Sequence, residues 1–307
     1  MPSTKNKRIA VIGAPLDLGA GRRGVDMGVS AVRFANLGQR LMELGCQVAD
    51  LGNVHVEQPE RAPAGPGNAR YLPQIAHTCA RLAEAVESAV RQRRMPVVIG
   101  GDHSIAIGTV GGVANHFRKK KRRIGLLWID AHADMNTPES SPSGNVHGMP
   151  LAAIVGMGAK KLTHLCGFAP MVDPKNVALV GIRDVDALEK SHVLDSGVRA
   201  FTMRDIDERG MRAVMEDALR IVSEGTAGFH VSLDMDAVDP QYAPGVGTPV
   251  RGGLDYREAH LAMEMAGDTG KILSMEIVEV NPVFDEANRT ALLAVELVTS
   301  AMGKRIL

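Results

Sequence analysis

Eight short apolar runs mark the chain: 8–13 (RIAVIG), 47–52 (QVADLG), 96–100 (PVVIG), 124–130 (IGLLWID), 177–182 (VALVGI), 198–202 (VRAFT), 228–234 (GFHVSLD) and 271–280 (KILSMEIVEV). Several are continuously apolar, the pattern of strands buried on both faces. Between them the apolar positions change to helical spacing. Ile75, Cys79, Leu82, Val86 and Val90 fall on one face, as do Met211, Val214, Met215, Ala218, Leu219 and Val222, and a last helix is predicted over 287–302. Strand alternating with helix predicts an α/β fold with a parallel sheet covered on both sides. Residues 57–72, rich in proline and glycine, read as a surface excursion, and 135–150 as a polar loop directly after a strand. No low-complexity linker or internal repeat interrupts the 307 residues, so a single domain over 1–307 is expected.

Composition narrows the function classes. Lys+Arg and Asp+Glu balance at 35 each, which argues against a nucleic-acid partner and against a polybasic membrane anchor. Aromatics at 3% leave little for base stacking. The one charge block, Arg118 to Arg123, reads as a solvated helix end and turn. Cys46, Cys79 and Cys166 are scattered and odd in number, so free thiols in a reducing compartment are expected, not a disulfide framework. No signal peptide pattern and no apolar run near the roughly 20 residues that cross a bilayer are present. A cytoplasmic protein without membrane contact is the expectation.

Chemistry gathers at the strand ends. In open parallel sheets, ligands bind beyond the carboxyl ends of the strands. Here PVVIG runs into Gly101-Asp102-His103-Ser104, LLWI into Asp130-Ala131-His132-Ala133-Asp134, HVSL into Asp234-Met235-Asp236, and SMEIV into Glu279. Spacing of two in an extended segment puts Asp130, His132 and Asp134 on one side, and Asp234 and Asp236 repeat the device. Four carboxylates brought together repel and resist burial, a conflict that divalent cations resolve. His103, His132 and the four aspartates make six candidate ligands. Because carboxylates bridge, six suit two metals better than one. Oxygen-rich ligation with one imidazole per ion suits Mn²⁺, while Fe²⁺, Co²⁺, Ni²⁺ and Zn²⁺ stay open.

At GGDHS (100–104), DAHAD (130–134) and SLDMDAVDP (232–240) the chain resembles the arginase (ureohydrolase) family. The likeness runs from GAPLDLGAGRRGVDMG (13–28) to the last helix. It implies a three-layer arginase-like fold with a mainly parallel eight-stranded sheet flanked by helices. It also implies two Mn²⁺ per subunit, with His103, Asp130, Asp134 and Asp234 serving one ion or the bridge, and His132, Asp130, Asp234 and Asp236 the other. The implied reaction is hydrolysis of L-arginine to L-ornithine and urea by a metal-bridging hydroxide. The 136–148 segment resembles the arginase version, in which Asn136 and Ser143 bind the α-carboxylate. The run from Gly181 to Glu189 resembles its α-amino site, with Asp186 and Glu189 holding the ammonium directly or through water. Asn145 and Thr248 complete the implied substrate set. The alternative is another ureohydrolase such as agmatinase or guanidinobutyrase. A one-metal zinc deacetylase and a non-enzymatic regulator fit the intact ligand set less well. The short end after the last helix is closer to bacterial members, implying a homo-oligomer, a hexamer before a trimer.

Three groups have expected catalytic roles. Glu279, at a strand end, can pair with the planar guanidinium through two parallel hydrogen bonds and aim its carbon at the nucleophile. Asp130 relays a proton towards the leaving amine. His147, in the polar loop and titrating near neutrality, exchanges it with solvent.

Overall fold

The computed structural model describes residues 7–305. All eight expected strands form: β1 (Arg8–Ala14), β2 (Gln47–Asn53), β3 (Met95–Gly100), β4 (Gly125–Ile129), β5 (Val177–Ile182), β6 (Arg199–Thr202), β7 (Phe229–Asp234) and β8 (Ile272–Val278). They make one sheet in the order β2-β1-β3-β8-β7-β4-β5-β6, and each neighbouring pair is parallel. The helices between them are α1 (Gly28–Phe34), α2 (Leu37–Glu43), α3 (Leu72–Arg91), α4 (Ala106–Lys119), α5 (Pro150–Ile154), α6 (Lys160–Thr163), α7 (Glu189–Ser196), α8 (Met203–Ser223), α9 (Tyr256–Asp268) and α10 (Arg289–Ala301).

The alternation of side chains across the sheet produces three layers. Ile9 and Val11 of β1, with Leu127 and Ile129 of β4, pack against α1, α2, α8, α9 and α10. Their neighbours Ala10, Ile12, Leu126 and Trp128 pack against α3, α4, α5 and α6 on the other face. Both faces are therefore dry, which is why these strands read as unbroken apolar runs. Two helices start on capping boxes, Thr202 with Asp205 for α8 and Asp255 with Glu258 for α9. The helix expected over 211–222 begins earlier, at Met203. Gly210 breaks it with φ 78 and ψ 149, so the apolar periodicity restarts only at Met211. The basic block 118–123 is exposed at the end of α4, as the solvated reading requires.

Two features of the sheet bring the polar strand ends together. β3, β8, β7 and β4 are its four central strands, and they are the ones whose carboxyl ends carry the acid and imidazole motifs. The turn after β3 lies directly on the turn after β1, with Gly101 N–H donating to Ala14 O (2.9 Å) and Asp102 N–H to Leu16 O (2.7 Å). A Cβ on Gly101 would sit 1.8 Å from Leu16 O, so only glycine allows this approach.

Candidate metal and active site

Local structure places each acid and imidazole. His103 opens a single turn, His103–Ile105, after β3. Asp102 caps that turn, accepting from Ser104 N–H (3.0 Å) and also from Gly19 N–H (2.8 Å). Asp130 prolongs β4 by one step, its N–H donating to Val180 O (3.1 Å). The segment does not stay extended to Asp134, as the spacing argument assumed. Asp134 takes φ 52, a left-handed conformation that bends the chain and turns its carboxylate back towards His103. Asp234 ends β7 and Asp236 lies in the turn Met235–Ala237, with Asp236 N–H donating to Asp234 Oδ1 (2.8 Å). Glu279 follows β8 with φ 63, and its N–H donates to Gly101 O (2.9 Å). Sparsely populated backbone at two strand tips marks a place where side-chain direction outweighs local comfort.

The six candidate ligands converge. His103 Nδ1 lies 3.1 Å from Asp130 Oδ2, 3.2 Å from Asp134 Oδ2 and 3.0 Å from Asp234 Oδ2. His132 Nδ1 lies 3.1 Å from Asp236 Oδ2 and 3.5 Å from Asp130 Oδ1. Five of them form two overlapping groups that could each hold a metal ion, His103–Asp130–Asp134 and Asp130–His132–Asp236, and Asp234, outside both, faces His103 Nδ1. Asp130 belongs to both, one oxygen towards each imidazole. A single ring nitrogen carries at most one proton and cannot satisfy three carboxylates. The buried His103 Nδ1 in fact makes no well-formed hydrogen bond. Burial raises the carboxyls of Asp134 (to about 6), Asp234 and Asp236, and neighbouring carboxylates add to it. Burial would also raise Asp130, but the two imidazoles hold it low. Burial opposes charge on His103 and His132, yet the surrounding aspartates raise both. Crowded oxygen donors, unsatisfied nitrogen and excess negative charge form a donor set that fits divalent cations.

Behind this cluster lies a buried polar chain that the motifs do not contain. His103 Nε2 is 2.7 Å from Ser232 Oγ, and Ser232 donates its hydroxyl to Glu276 Oε1 (2.8 Å). His230 Nε2 reaches the same oxygen at 3.3 Å, and its Nδ1 is 2.8 Å from Ser274 Oγ. The carboxylate only accepts, so Ser232 donates to it and must accept from His103 Nε2–H. That keeps a proton on His103 Nε2, so that in the neutral ring Nδ1 is the lone-pair nitrogen facing the aspartates. Trp128 stacks on His103 with centroids 4.1 Å apart and donates Nε1–H to Asp130 Oδ2 (2.9 Å). The signal available in the sequence was alternation: His230, Ser232, Ser274 and Glu276 are polar at every second position of strands otherwise apolar on both faces.

Above the cluster opens a cavity of about 140 Å³. Its walls include Asn136, Ser143, Asn145, His147, Asp186, Glu189, Thr248 and Glu279, with His103, His132, Asp134, Asp234 and Asp236 as its floor; Asp130 is buried beneath. Every residue singled out in the sequence thus falls in one place. Their present partners differ. Asn136 Nδ2 donates to Asp186 Oδ2 (2.9 Å), joining two walls. Glu189 is buried and accepts from Met135 N–H (2.7 Å) and Asp186 N–H (3.1 Å); burial lifts it to about 7. Thr248 donates to Asp236 Oδ2 (3.0 Å). Glu279 Oε1 accepts from His103 N–H (3.0 Å) and faces His147 Nδ1 (2.9 Å), while its buried Oε2 has no partner among the described residues. Only one of the two oxygens is fully free for a ligand. His147 does not sit near neutrality as expected. Burial opposes its charge, but Glu279 outweighs burial and lifts it to about 9.

Comparison with known proteins identifies the family. The family model described as Arginase family matches residues 7–303. The arginase of Bacillus caldovelox is 48% identical over 302 residues, covering 98% of this chain and 100% of that protein. Its native structure at pH 5.6 superposes with a TM-score of 0.93 over the same shares of the two chains. An Entamoeba histolytica arginase in complex with L-ornithine is 32% identical, with a TM-score of 0.89 over 98% of this chain and 100% of that one.

Proposed function

The chain belongs to the arginase family, and from that premise we propose that it hydrolyses L-arginine to L-ornithine and urea, with two Mn²⁺ ions held by His103, Asp130, Asp134 and Asp234 and by His132, Asp130, Asp234 and Asp236. The observation that carries the substrate is the contact between Asn136 and Asp186 in the wall of the cavity, above the His/Asp cluster. An α-carboxylate and an α-ammonium share one carbon, so their binders must be neighbours. An amide donor beside a carboxylate is such a pair, and agmatine would leave half of it unused. The ornithine complex of the Entamoeba relative supports the same assignment.

When bound, the two cations lower the pKa of water towards neutrality and supply a nucleophile that bulk water cannot. The chain's own residues do the rest. Asn136, Ser143 and Asn145 take the carboxylate, and Asp186 takes the ammonium. Glu189 ties the 135 loop to Asp186 through two backbone amides, which keeps the two binders in register. Glu279 meets the guanidinium through Oε2 and holds the carbon over the cluster. Thr248 steadies Asp236. The ornithine amine needs a proton as the C–N bond breaks. Asp130 relays it at the cluster, and His147, kept protonated by Glu279, exchanges it with solvent.

A single catalytic domain over 1–307, a cytoplasmic location and a homo-oligomer, a hexamer before a trimer, complete the reading. Exposed apolar side chains such as Phe34 (81%) support covered surfaces between copies. No helix among the described residues is long and apolar enough to cross a membrane. The deciding experiment strips the protein with chelator, restores Mn²⁺, and compares urea release from L-arginine and agmatine. Activity restored by Mn²⁺ with arginine preferred supports the proposal. A preference for agmatine would assign another ureohydrolase activity.

A further inference from the structure

The proline- and glycine-rich excursion before α3 has no part in the proposed chemistry, yet it is fastened to the substrate loop at several points. Arg70 N–H donates to Gly144 O (3.0 Å), and Asn68 Nδ2 donates to Pro138 O (3.2 Å). The backbones press so closely that a Cβ on Gly144 would lie 1.8 Å from Gly67 O. Arg70 also extends its guanidinium to the Asn145 side chain and donates to its Oδ1.

That last contact has a direction. A guanidinium only donates, so the amide edge facing Arg70 must be the oxygen. The NH₂ edge of Asn145 is thereby turned away from Arg70, and it makes no hydrogen bond to protein among the described residues. Asn145 lines the cavity above the cluster. An amide free to flip would present its oxygen to an incoming carboxylate half the time, replacing a donor with a repulsive lone pair. We propose that Arg70 is a positioning residue for substrate selection: by holding Asn145 Oδ1, it commits the amide's NH₂ to the carboxylate of an α-amino acid substrate. The inference rests on the reading of Asn145 as a carboxylate binder. It assigns the 57–72 excursion the role of a brace on the specificity loop.

The test separates carboxylate-bearing from carboxylate-free ligands on the full-length Mn²⁺-loaded protein. R70M, which keeps the bulk of the side chain but has no donor, is expected to raise KM for L-arginine and the inhibition constant of L-ornithine about tenfold, the scale of one charge-assisted hydrogen bond. Inhibition by putrescine, the same diamine without the carboxylate, should stay within about twofold of wild type on the same scale. kcat and bound metal should be unchanged, and R70K should recover part of the loss. N145D provides a second measurement that does not depend on R70M folding: it keeps an acceptor for Arg70 but has no NH₂, and it should lose the preference for ornithine over putrescine. Equal weakening of both inhibitors in R70M, or no weakening of either, overturns the proposal, as does an N145D protein that retains the preference. If wild type itself binds putrescine as well as ornithine, the amino-acid reading fails instead, and the two failures are told apart by that control.

Discussion

Replacing Ser232 with alanine should weaken metal binding without unfolding the protein, and its size can be worked from the buried chain. In the proposed metal-bound form, Nδ1 of His103 would be a ligand and the ring proton would reside on Nε2, facing Ser232 Oγ at 2.7 Å. His103, Ser232 and Glu276 are all essentially inaccessible to solvent, so no water replaces the lost hydroxyl. A buried donor left without an acceptor costs about 1–3 kcal/mol. The metal-free protein escapes part of that cost, because its imidazole can move the proton to Nδ1, where three carboxylate oxygens lie within 3.2 Å. The difference between the two states is about 1–2 kcal/mol, or roughly 5- to 30-fold weaker binding, in line with the 10–100-fold typical of groups behind a metal ligand. Calorimetric titration of Mn²⁺ into chelator-stripped S232A measures it directly. Affinity within twofold of wild type would refute the argument that Ser232 sets the ring's tautomer, and so would a fall in metal-free stability with no change in affinity.

Other outcomes follow from the same geometry. Asp130→Asn should abolish metal retention altogether, because Asp130 serves both groups; metal analysis showing full occupancy would remove it from the ligand set. Glu279→Ala should retain metal and lose turnover, and unchanged urea release would rule out its clamp role. In metal-free protein the His147–Glu279 pair should make stability depend on pH. A histidine whose folded pKa is raised to about 9 contributes fully below its ordinary value of 6.5, and the contribution is lost as pH rises through about 9. The gap in melting temperature between wild type and His147→Asn should therefore shrink from pH 6.5 to 9.5, and a constant gap would contradict the pair. Gly101→Ala, whose Cβ would meet Leu16 O at 1.8 Å, should destabilise by at least about 1–3 kcal/mol, read by denaturant unfolding.

Much of the fold and site was legible in the chain alone. The strands announced themselves because both faces of the sheet are dry, and the ligand motifs because GGDHS, D-x-H-x-D and D-x-D occur together at strand ends, where a lone aspartate would read as a helix cap. The strand order was not legible: pairing β3 with β8 joins residues 97–99 to 275–277, a contact that no local pattern encodes. Asp134 escaped the spacing rule because a left-handed residue re-aims a side chain that alternation alone would place elsewhere. The electrostatics were equally hidden. His147 was legible as a proton exchanger, but not its raised pKa, because Glu279, 132 residues away in sequence, lies 2.9 Å from it only in the fold. Glu276 and His230 were not singled out, although the polar alternation they share with Ser274 and Ser232 was a usable sign of an interior polar chain. Arg70 lay in a stretch whose composition advertised only a loop.

The placement of β8 has a consequence for how the molecule is made. It is the last strand in sequence, yet it lies between β3 and β7. Without it, the order falls into two sets of neighbouring strands, β2-β1-β3 leading to His103 and β7-β4-β5-β6 leading to the remaining five imidazole and aspartate groups. The six groups therefore come together only when β8 joins the two sets. Cations that bound only the assembled cluster would stabilise that insertion by mass action.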